Sequence, residues 1–207
     1  MSATDRPLVA VLDYGIGNLR SATKALERVG ADARLTADPE VIGAAAGVVL
    51  PGVGAFGRCM EALRAAGLEP VAKDAAASGR PFLGICIGMQ MLFEASEESP
   101  GVAGLGVLPG TVRLLPDGVK RPQMQWNRLH ARRPHALLEG MGEDPWMYFV
   151  HSYAPEDGAQ VVATCDYGGE VAALVKQANV VAAQFHPEKS GVNGLQLLRN
   201  FVAGLAG

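Results

Sequence analysis

The stretch PFLGICIGMQML, residues 81–92, decides the fold, because an apolar run ends there at a cysteine flanked two places away by glycines. The run before Cys86 predicts a buried strand, and the residues from Gly88 predict a helix. Cys86 is thus expected on a tight strand-to-helix turn, the arrangement of the G-x-S-x-G nucleophile elbow with sulfur in place of oxygen. A buried cysteine with glycines present for packing is the alternative, and this motif alone does not exclude it.

Strand and helix patterns alternate through the first half of the chain. Strands are predicted near residues 7–14, 32–36 and 80–85, and residues 47–56 predict a further strand that leads into a glycine-rich loop, with helical patterns between the strands. This alternation implies parallel strands covered on both faces. The second half has short apolar runs broken by Gly, Pro and Asp, which predict further strands, and then a closing helix. We therefore predict an α/β fold with a central, mostly parallel sheet flanked by helices, additional antiparallel strands in the second half, and one domain over residues 1–207.

Composition narrows the function classes. The 207 residues are 49% hydrophobic, carry a net charge of -3, and contain no basic run longer than two residues, which argues against a nucleic-acid partner. No apolar run approaches the roughly 20 residues of a membrane span, and the N-terminal residues do not resemble a secretory signal. Three scattered cysteines predict neither a disulfide framework nor a structural metal site. We expect a cytoplasmic protein without a metal or cofactor.

Two further segments carry candidate chemistry. In QFHPEKSG, His186 ends an apolar run, and Glu188 follows two residues later. A thiol nucleophile needs a base, and the base needs an acceptor that orients it, so Cys86, His186 and Glu188 form a candidate triad. The third segment, LPGVGAF at residues 50–56, is either an ordinary glycine turn or a flexible strand that offers backbone N–H groups to an oxyanion.

Taken together, these segments resemble the class I, triad-type glutamine amidotransferases, which have a flavodoxin-like fold. The resemblance is carried by LDYGIGNLRS, LPGVGAF, PFLGICIGMQML, RPQMQWNRL, YFVHSY and QFHPEKSG, in the order of the family and over nearly the whole chain. It implies that Cys86 attacks the side-chain amide of glutamine, that His186 relays the proton, and that Glu188 orients His186. It further implies an oxyanion hole formed by N–H groups of Ile87, Val53 and Gly54.

The resemblance also implies a substrate site and a partner. The residues expected to bind glutamine are Gly52, Gly54, Gln90, Ser152 and Tyr153. The partner is a barrel-shaped synthase subunit that receives the ammonia, and the residues expected to face it are Tyr14, Asn18, Trp126, Asn127 and Lys189. Two positions depart from the family pattern, because Gln123 and Gln125 replace a histidine and a glycine. Gln125 removes positive-φ freedom beside Trp126.

Three alternatives stay open at this stage. The first is a glutaminase that serves another acceptor, against which LDYGIGNLRS and the segment around Trp126 argue. The second is a cysteine hydrolase on a related fold, although a glutamate two residues after the histidine fits an amidotransferase better. The third is an inactive binding subunit, which would not need Cys86, His186 and Glu188 together.

Overall fold

The computed structural model describes residues 6–205 of the chain. The predicted single domain over residues 1–207 stays a prediction, since residues 1–5 and 206–207 lie outside the described part. The expectation about a secretory signal also concerns residues that lie partly outside it. Within residues 6–205, no helix combines the length and apolar character needed to cross a bilayer.

The first half alternates strands and helices. The strands are β1 (Leu8–Leu12), β2 (Asp32–Thr36), β3 (Gly47–Gly52) and β4 (Phe82–Cys86). The helices are α1 (Leu19–Arg28), α2 (Pro39–Ala44), α3 (Phe56–Ala65), α4 (Leu68–Ala77) and α5 (Ile87–Met91). The start of α2 follows directly from its sequence, because Asp38 accepts a hydrogen bond from the Glu40 N–H at 2.9 Å and Pro39 occupies the first turn.

The second half contributes mainly strands. They are β5 (Ala95–Ser96), β6 (Thr111–Leu114), β7 (Gln123–Arg128), β8 (His130–Ala131), β9 (Trp146–His151), β10 (Tyr153–Pro155), β11 (Val161–Asp166), β12 (Glu170–Gln177) and β13 (Val180–Ala183). The closing helix is α6 (Gly191–Ala203).

An eight-stranded sheet with the order β2-β1-β3-β4-β13-β12-β11-β8 forms the centre of the molecule. The five strands from β2 to β13 are parallel, and β12, β11 and β8 extend the sheet in antiparallel fashion. Two smaller sheets, β10-β6-β5 and the ribbon β7-β9, lie outside it. The predicted mostly parallel sheet with additional antiparallel strands is therefore confirmed.

Helices cover both faces of the parallel strands. Helix α1 contacts α6, whereas α2 contacts α4 and α3 contacts both α4 and α5. This division follows from right-handed crossovers, because the chain moves one way from β1 to β2 and the other way from β2 to β3 and β4. Both β3 and β4 are buried along their whole length, which explains their continuous apolar sequence.

The structure shows the length of the helix after Cys86 and the backbone conformation at Gln125. The helix predicted after Cys86 is shorter than the sequence indicated, since α5 ends at Met91 and the chain then turns into β5. Gln125 lies in the middle of β7, paired with Phe149 of β9, and is not among the described residues with positive φ. The replacement of a family glycine by Gln125 therefore leaves the strand regular.

Candidate active site

Cys86 ends β4 in a backbone conformation that is unusual for a residue with a side chain. Its φ is 55° and its ψ is -113°, a strained combination that turns the chain directly into α5. The turn needs glycine on its helical side, because a Cβ on Gly88 would lie 1.8 Å from the Leu50 carbonyl oxygen of β3. A Cβ on Gly84 would lie 2.9 Å from Leu92 Cδ1. The two glycines thus allow the close packing on which the elbow depends.

His186 and Glu188 reach the same edge of the sheet from β13. The parallel register pairs Ala183 of β13 with Ile85 of β4, so the chain leaves β13 beside Cys86. The backbone N–H of His186 donates to the Tyr148 carbonyl oxygen at 2.9 Å. His186 Nδ1 lies 2.8 Å from Glu188 Oε1, and both side chains are almost completely buried.

Charge and burial act in opposite directions on His186. Burial lowers the pKa of this histidine, but hydrogen bonds to Cys86 and Glu188, and the negative charges of both groups, outweigh it and raise the pKa to about 10. The imidazolium form is therefore favoured when Cys86 is a thiolate. Such a pair provides a nucleophile and a proton donor in contact with each other.

A cavity of about 320 Å³ opens above Cys86. It is lined by most of the residues that the motifs single out, namely Val53, Gly54, Cys86, Ile87, Gln90, Ser152, Tyr153, His186 and Lys189. Glu188 lies behind His186, and Gly52 lies beside the first turn of α5, where a Cβ would meet the Gly88 nitrogen at 2.8 Å. The topology places this cavity at the carboxyl ends of β3, β4 and β13.

Comparisons with known proteins agree with this geometry. The family model for glutamine amidotransferase class-I matches residues 10–205. The chain belongs to this family. It is 50% identical to the imidazole glycerol phosphate synthase subunit HisH of Methanothermobacter thermautotrophicus, over 94% of this chain and 98% of that one. It is 51% identical to the HisH subunit of Aromatoleum aromaticum, over 94% and 97% of the two chains.

Solved structures with the same fold as this amidotransferase include two that cover nearly the whole chain. One structure titled glutamine amidotransferase superposes with a TM-score of 0.76 at 25% identity, covering 96% of this chain and 99% of that chain. PurLQS from Thermotoga maritima superposes with a TM-score of 0.72 at 20% identity, covering 97% of this chain and 99% of that chain. The resemblance in the sequence motifs, and with it the class I amidotransferase fold, is confirmed.

The side chain of Gln90 in this amidotransferase is held rigidly in the floor of the cavity. Its amide nitrogen donates to the Tyr153 carbonyl oxygen at 2.8 Å and to Gln184 Oε1 at 3.0 Å. Gln184 is fully buried, and its own amide nitrogen lies 3.9 Å from Cys86 Sγ. Gln90 Oε1 is buried without a hydrogen-bond partner among the described residues.

Four residues that line the cavity were not among the predicted site residues, namely Glu98, Pro122, Val150 and His151. The ring of His151 forms part of the cavity wall, with Nδ1 2.9 Å from the Tyr153 carbonyl oxygen. Its position next to Ser152 and Tyr153 was a usable signal. Glu98 also lines the cavity and accepts a hydrogen bond from the Phe56 N–H at 2.7 Å. No motif marked Glu98, which lies in the turn after β5.

The residues expected to face a partner occupy different environments. Tyr14 is only 5% exposed and donates from its hydroxyl to the Pro51 carbonyl oxygen at 2.6 Å, so its side chain braces β3 from inside. Asn18 donates to Glu188 Oε1 at 3.2 Å, which links it to the candidate triad. Asn127 donates to the Asp166 carbonyl oxygen at 2.9 Å. Trp126 and Lys189 are exposed.

No group of three or more His, Cys, Asp or Glu side chains in residues 6–205 is arranged to hold a metal ion. The cysteines of this amidotransferase, Cys59, Cys86 and Cys165, are free thiols and are buried.

Proposed function

We propose that this chain, a glutaminase subunit of the HisH type, hydrolyses glutamine at Cys86 and delivers the ammonia to a barrel-shaped synthase subunit. The single observation that carries the proposal is that Cys86 and His186 line one cavity, while Glu188 lies behind His186 with Oε1 2.8 Å from its Nδ1. Each of the three supplies a function that the reaction requires.

In the first step the Cys86 sulfur attacks the side-chain carbonyl carbon of glutamine. A C–S bond forms, and the electron pair of the carbonyl moves onto oxygen. When the tetrahedral intermediate collapses, His186 gives a proton to the departing nitrogen, the C–N bond breaks, and ammonia leaves a glutamyl thioester behind. Glu188 keeps the imidazole oriented through the 2.8 Å contact at Nδ1.

In the second step water takes the place of ammonia. His186, now neutral, removes a proton from the water as its oxygen attacks the thioester carbon. The C–S bond then breaks, glutamate leaves, and the sulfur regains the charge with which it began. In both steps the developing oxyanion accepts hydrogen bonds from the Ile87 N–H and from an N–H group of Val53 or Gly54.

The cavity also suits the two ends of the substrate. Gln90, with its unpaired Oε1, and the backbone of Ser152 and Tyr153 offer polar groups for the α-amino and α-carboxylate ends of glutamine. Gly54 also lines the cavity, and we assign Gly52 and Gly54 to substrate binding because glycine permits close approach to the backbone. Lys189 stands exposed at the rim, where an acidic group of a partner can pair with it.

Delivery to a partner has a chemical reason. Ammonia in neutral water is mostly protonated, and ammonium has no electron pair with which to attack an acceptor. Passage through a barrel-shaped subunit keeps it neutral until it reaches a ribulosyl nucleotide, where the partner makes imidazole glycerol phosphate and an aminoimidazole carboxamide ribotide for histidine biosynthesis. We assign the pair to the cytoplasm as a heterodimer.

The first experiment measures glutamate release from glutamine for the chain alone, with the barrel subunit, and with the barrel subunit and the ribulosyl nucleotide. We expect release mainly in the third condition. Cys86→Ala is expected to abolish it, because no other described thiol lines the cavity.

Cys165→Ala is the matched control, since Cys165 is equally buried but lies in β11, away from the cavity. It is expected to keep the wild-type rate. Release that ignores the partner would point to another acceptor, and no release with a verified partner would point to a binding subunit without catalysis.

A further inference from the structure

Gln184 is a fully buried polar residue behind two residues that line the cavity. It directly follows β13, and its backbone N–H donates to the Ala173 carbonyl oxygen of β12 at 2.9 Å, so the central sheet fixes its main chain. Its side-chain Oε1 lies 3.0 Å from Gln90 Nε2, and its Nε2 lies 3.9 Å from Cys86 Sγ. Burial of an amide costs free energy that an apolar side chain would avoid, and these two contacts offset that cost.

The direction of these hydrogen bonds is set by the Tyr153 carbonyl oxygen, which can only accept. Gln90 therefore presents its amide nitrogen to this oxygen, at 2.8 Å, and the same nitrogen donates to Gln184 Oε1. Because its oxygen accepts from Gln90, Gln184 presents its own amide nitrogen to Cys86. One carbonyl group thus determines the orientation of both side-chain amides.

An N–H donor beside the Cys86 sulfur favours the thiolate. A thiolate carries a full negative charge and can only accept, so an N–H group stabilises it more than it stabilises a neutral thiol. The neutral thiol has a different partner, the Val150 carbonyl oxygen, which lies 3.8 Å from Sγ. Unlike the imidazolium of His186, an amide keeps its protons throughout the reaction. The Gln184 amide can therefore stabilise the charge on sulfur without taking part in proton transfer.

We propose that Gln184 is a positioning residue that donates a hydrogen bond to the Cys86 thiolate and holds the Gln90 amide in place for the substrate. A single side chain, anchored on the central sheet, thereby aligns the nucleophile with the floor of the cavity. The inference rests on the proposed glutamine hydrolysis and adds a further side chain to the candidate triad. Gln184 stands two residues before His186 in the segment QFHPEKSG.

Alkylation of Cys86 by iodoacetamide, with the adduct located by mass spectrometry, tests the donation to sulfur. Gln184→Met keeps the length of the side chain and has no N–H group. In the isolated chain its alkylation rate is expected to be about fivefold below wild type at pH 6, the effect of one ordinary hydrogen bond. At pH 9.5 the two rates are expected to agree within about twofold, because the thiol then ionises without the donor. Damage to packing or access would lower the rate equally at both pH values.

Gln123→Met is the matched control. Gln123 is also fully buried, its Nε2 lies 3.8 Å from Cys165 Sγ, and it is not among the residues that line the cavity. This variant is expected to alkylate at Cys86 within about twofold of wild type at both pH values. The ionisable groups around Cys86 are the same in all of these proteins, namely Tyr14, Cys59, Glu98, His151, His186 and Lys189. Melting temperatures verify folding, and Gln184→Leu carries the test if Gln184→Met does not fold.

Steady-state kinetics with the barrel subunit and the ribulosyl nucleotide test the contact with Gln90. In Gln184→Met the Gln90 amide nitrogen keeps its hydrogen bond to the Tyr153 carbonyl oxygen and loses its second anchor. We expect KM for glutamine to rise about threefold to fivefold and kcat to fall about fivefold. Gln123→Met is expected to change KM by less than about twofold.

The two proposals fail in different ways. If wild-type protein with partner and nucleotide releases no glutamate, the proposed hydrolysis is wrong, whereas the alkylation rates still measure donation from Gln184 to Cys86. If wild-type protein releases glutamate normally, the inference alone is overturned by any of three results for Gln184→Met. These are a wild-type alkylation rate at pH 6, an equal loss of rate at pH 6 and pH 9.5, or an unchanged KM.

Discussion

Two histidines in one cavity wall respond to opposite surroundings. His186 faces Cys86 and Glu188, and their hydrogen bonds and charges raise its pKa against the effect of burial. His151 is equally buried, beside Tyr153 and without an anionic partner among the described residues, and burial lowers its pKa to about 4. Only the histidine with anionic partners therefore carries a proton at neutral pH. Histidine therefore carries the proton at position 186 and is a neutral part of the cavity lining at position 151.

The neutral state of His151 predicts how stability depends on pH. The unfolded chain binds a proton at this residue below about pH 6.5, whereas the folded chain does so only below about pH 4. Between these values folding releases a proton, so stability falls as pH falls, by about 3 kcal/mol over the whole window. His151→Gln cannot titrate and is expected to lose less stability on acidification.

Urea unfolding at pH 7 and at pH 4.5 measures this difference. The loss between the two pH values is expected to be about 2 to 3 kcal/mol larger in wild type than in His151→Gln. Equal losses would mean that His151 is not kept neutral by burial. His186 works in the other direction, since the stability linked to its raised pKa is complete below about pH 6.5 and is lost as pH rises toward 10.

At the scale of single residues, site residues could be predicted from sequence where a motif determines the local backbone. Cys86 between glycines and His186 two residues before Glu188 were singled out from spacing, and the fold brings all three together. The burial of Tyr14 and the place of Glu98 in the cavity wall were not predictable. Both depend on contacts between segments about 40 residues apart, which no local pattern encodes.

At the scale of elements, the elbow depends on how closely β3 and α5 approach. Gly88 is the point of contact, and a Cβ there would lie 1.8 Å from the Leu50 carbonyl oxygen and 2.8 Å from its carbonyl carbon. Both atoms belong to the backbone of a central buried strand, so neither can move aside. Gly88→Ala is expected to destabilise the protein by at least about 3 kcal/mol in urea unfolding.

Gly43 provides the matched control for this prediction. It lies in α2, and a Cβ there would meet nothing within 4 Å in the described chain. Gly43→Ala is expected to leave stability unchanged or raise it by up to about 1 kcal/mol, because alanine favours the helix. Similar stability for the two alanine variants would show that the close approach at the elbow does not constrain residue 88.

Elements with a strong period or clear end signals were predictable from sequence. Helix α2 has its aspartate cap and proline where expected, and β2 matches the run DARLT. The helix after Cys86 was overestimated, because the apolar residues that follow Met91 pack in the core as an irregular segment rather than as a helix. Burial from all sides removes the periodicity on which such predictions depend.

At the scale of the whole molecule, the β7-β9 ribbon presents an apolar face beside the cavity. Met124 and Trp126 are 62% and 46% exposed, and Trp126 lies opposite Tyr148 with ring centroids 5.8 Å apart. On β9, Val150 belongs to the cavity wall. An apolar face that continues into a cavity rim is typical of a surface that another protein covers.

The pairing of strands could not be predicted from sequence at this scale. Alternating strands and helices with right-handed crossovers lead to parallel strands, so the α/β fold class was predictable. The way β12, β11 and β8 extend that sheet while β7 and β9 separate into a ribbon depends on long-range register. The half-exposed positions of Trp126 and Trp146 therefore became clear only once the strands were placed.

The position of Trp126 along the ribbon predicts its role in partner binding. Trp126 lies opposite Tyr148, about 7 Å along β9 from Val150 at the cavity wall, whereas Trp146 lies about 13 Å from it. Trp146 also packs against Arg128, whose guanidinium carbon is 5.4 Å from its ring centre. Trp126→Ala is expected to weaken binding of the barrel subunit at least tenfold in a calorimetric titration.

Trp146→Ala is the matched control, because Trp146 is 48% exposed and belongs to the same ribbon. It is expected to change the dissociation constant by less than about twofold. Neither variant should shift the melting temperature of the isolated chain by more than a few degrees, since both rings are half exposed. Equal weakening by the two variants would extend the interface along the whole ribbon, and no weakening by Trp126→Ala would place the partner on another face.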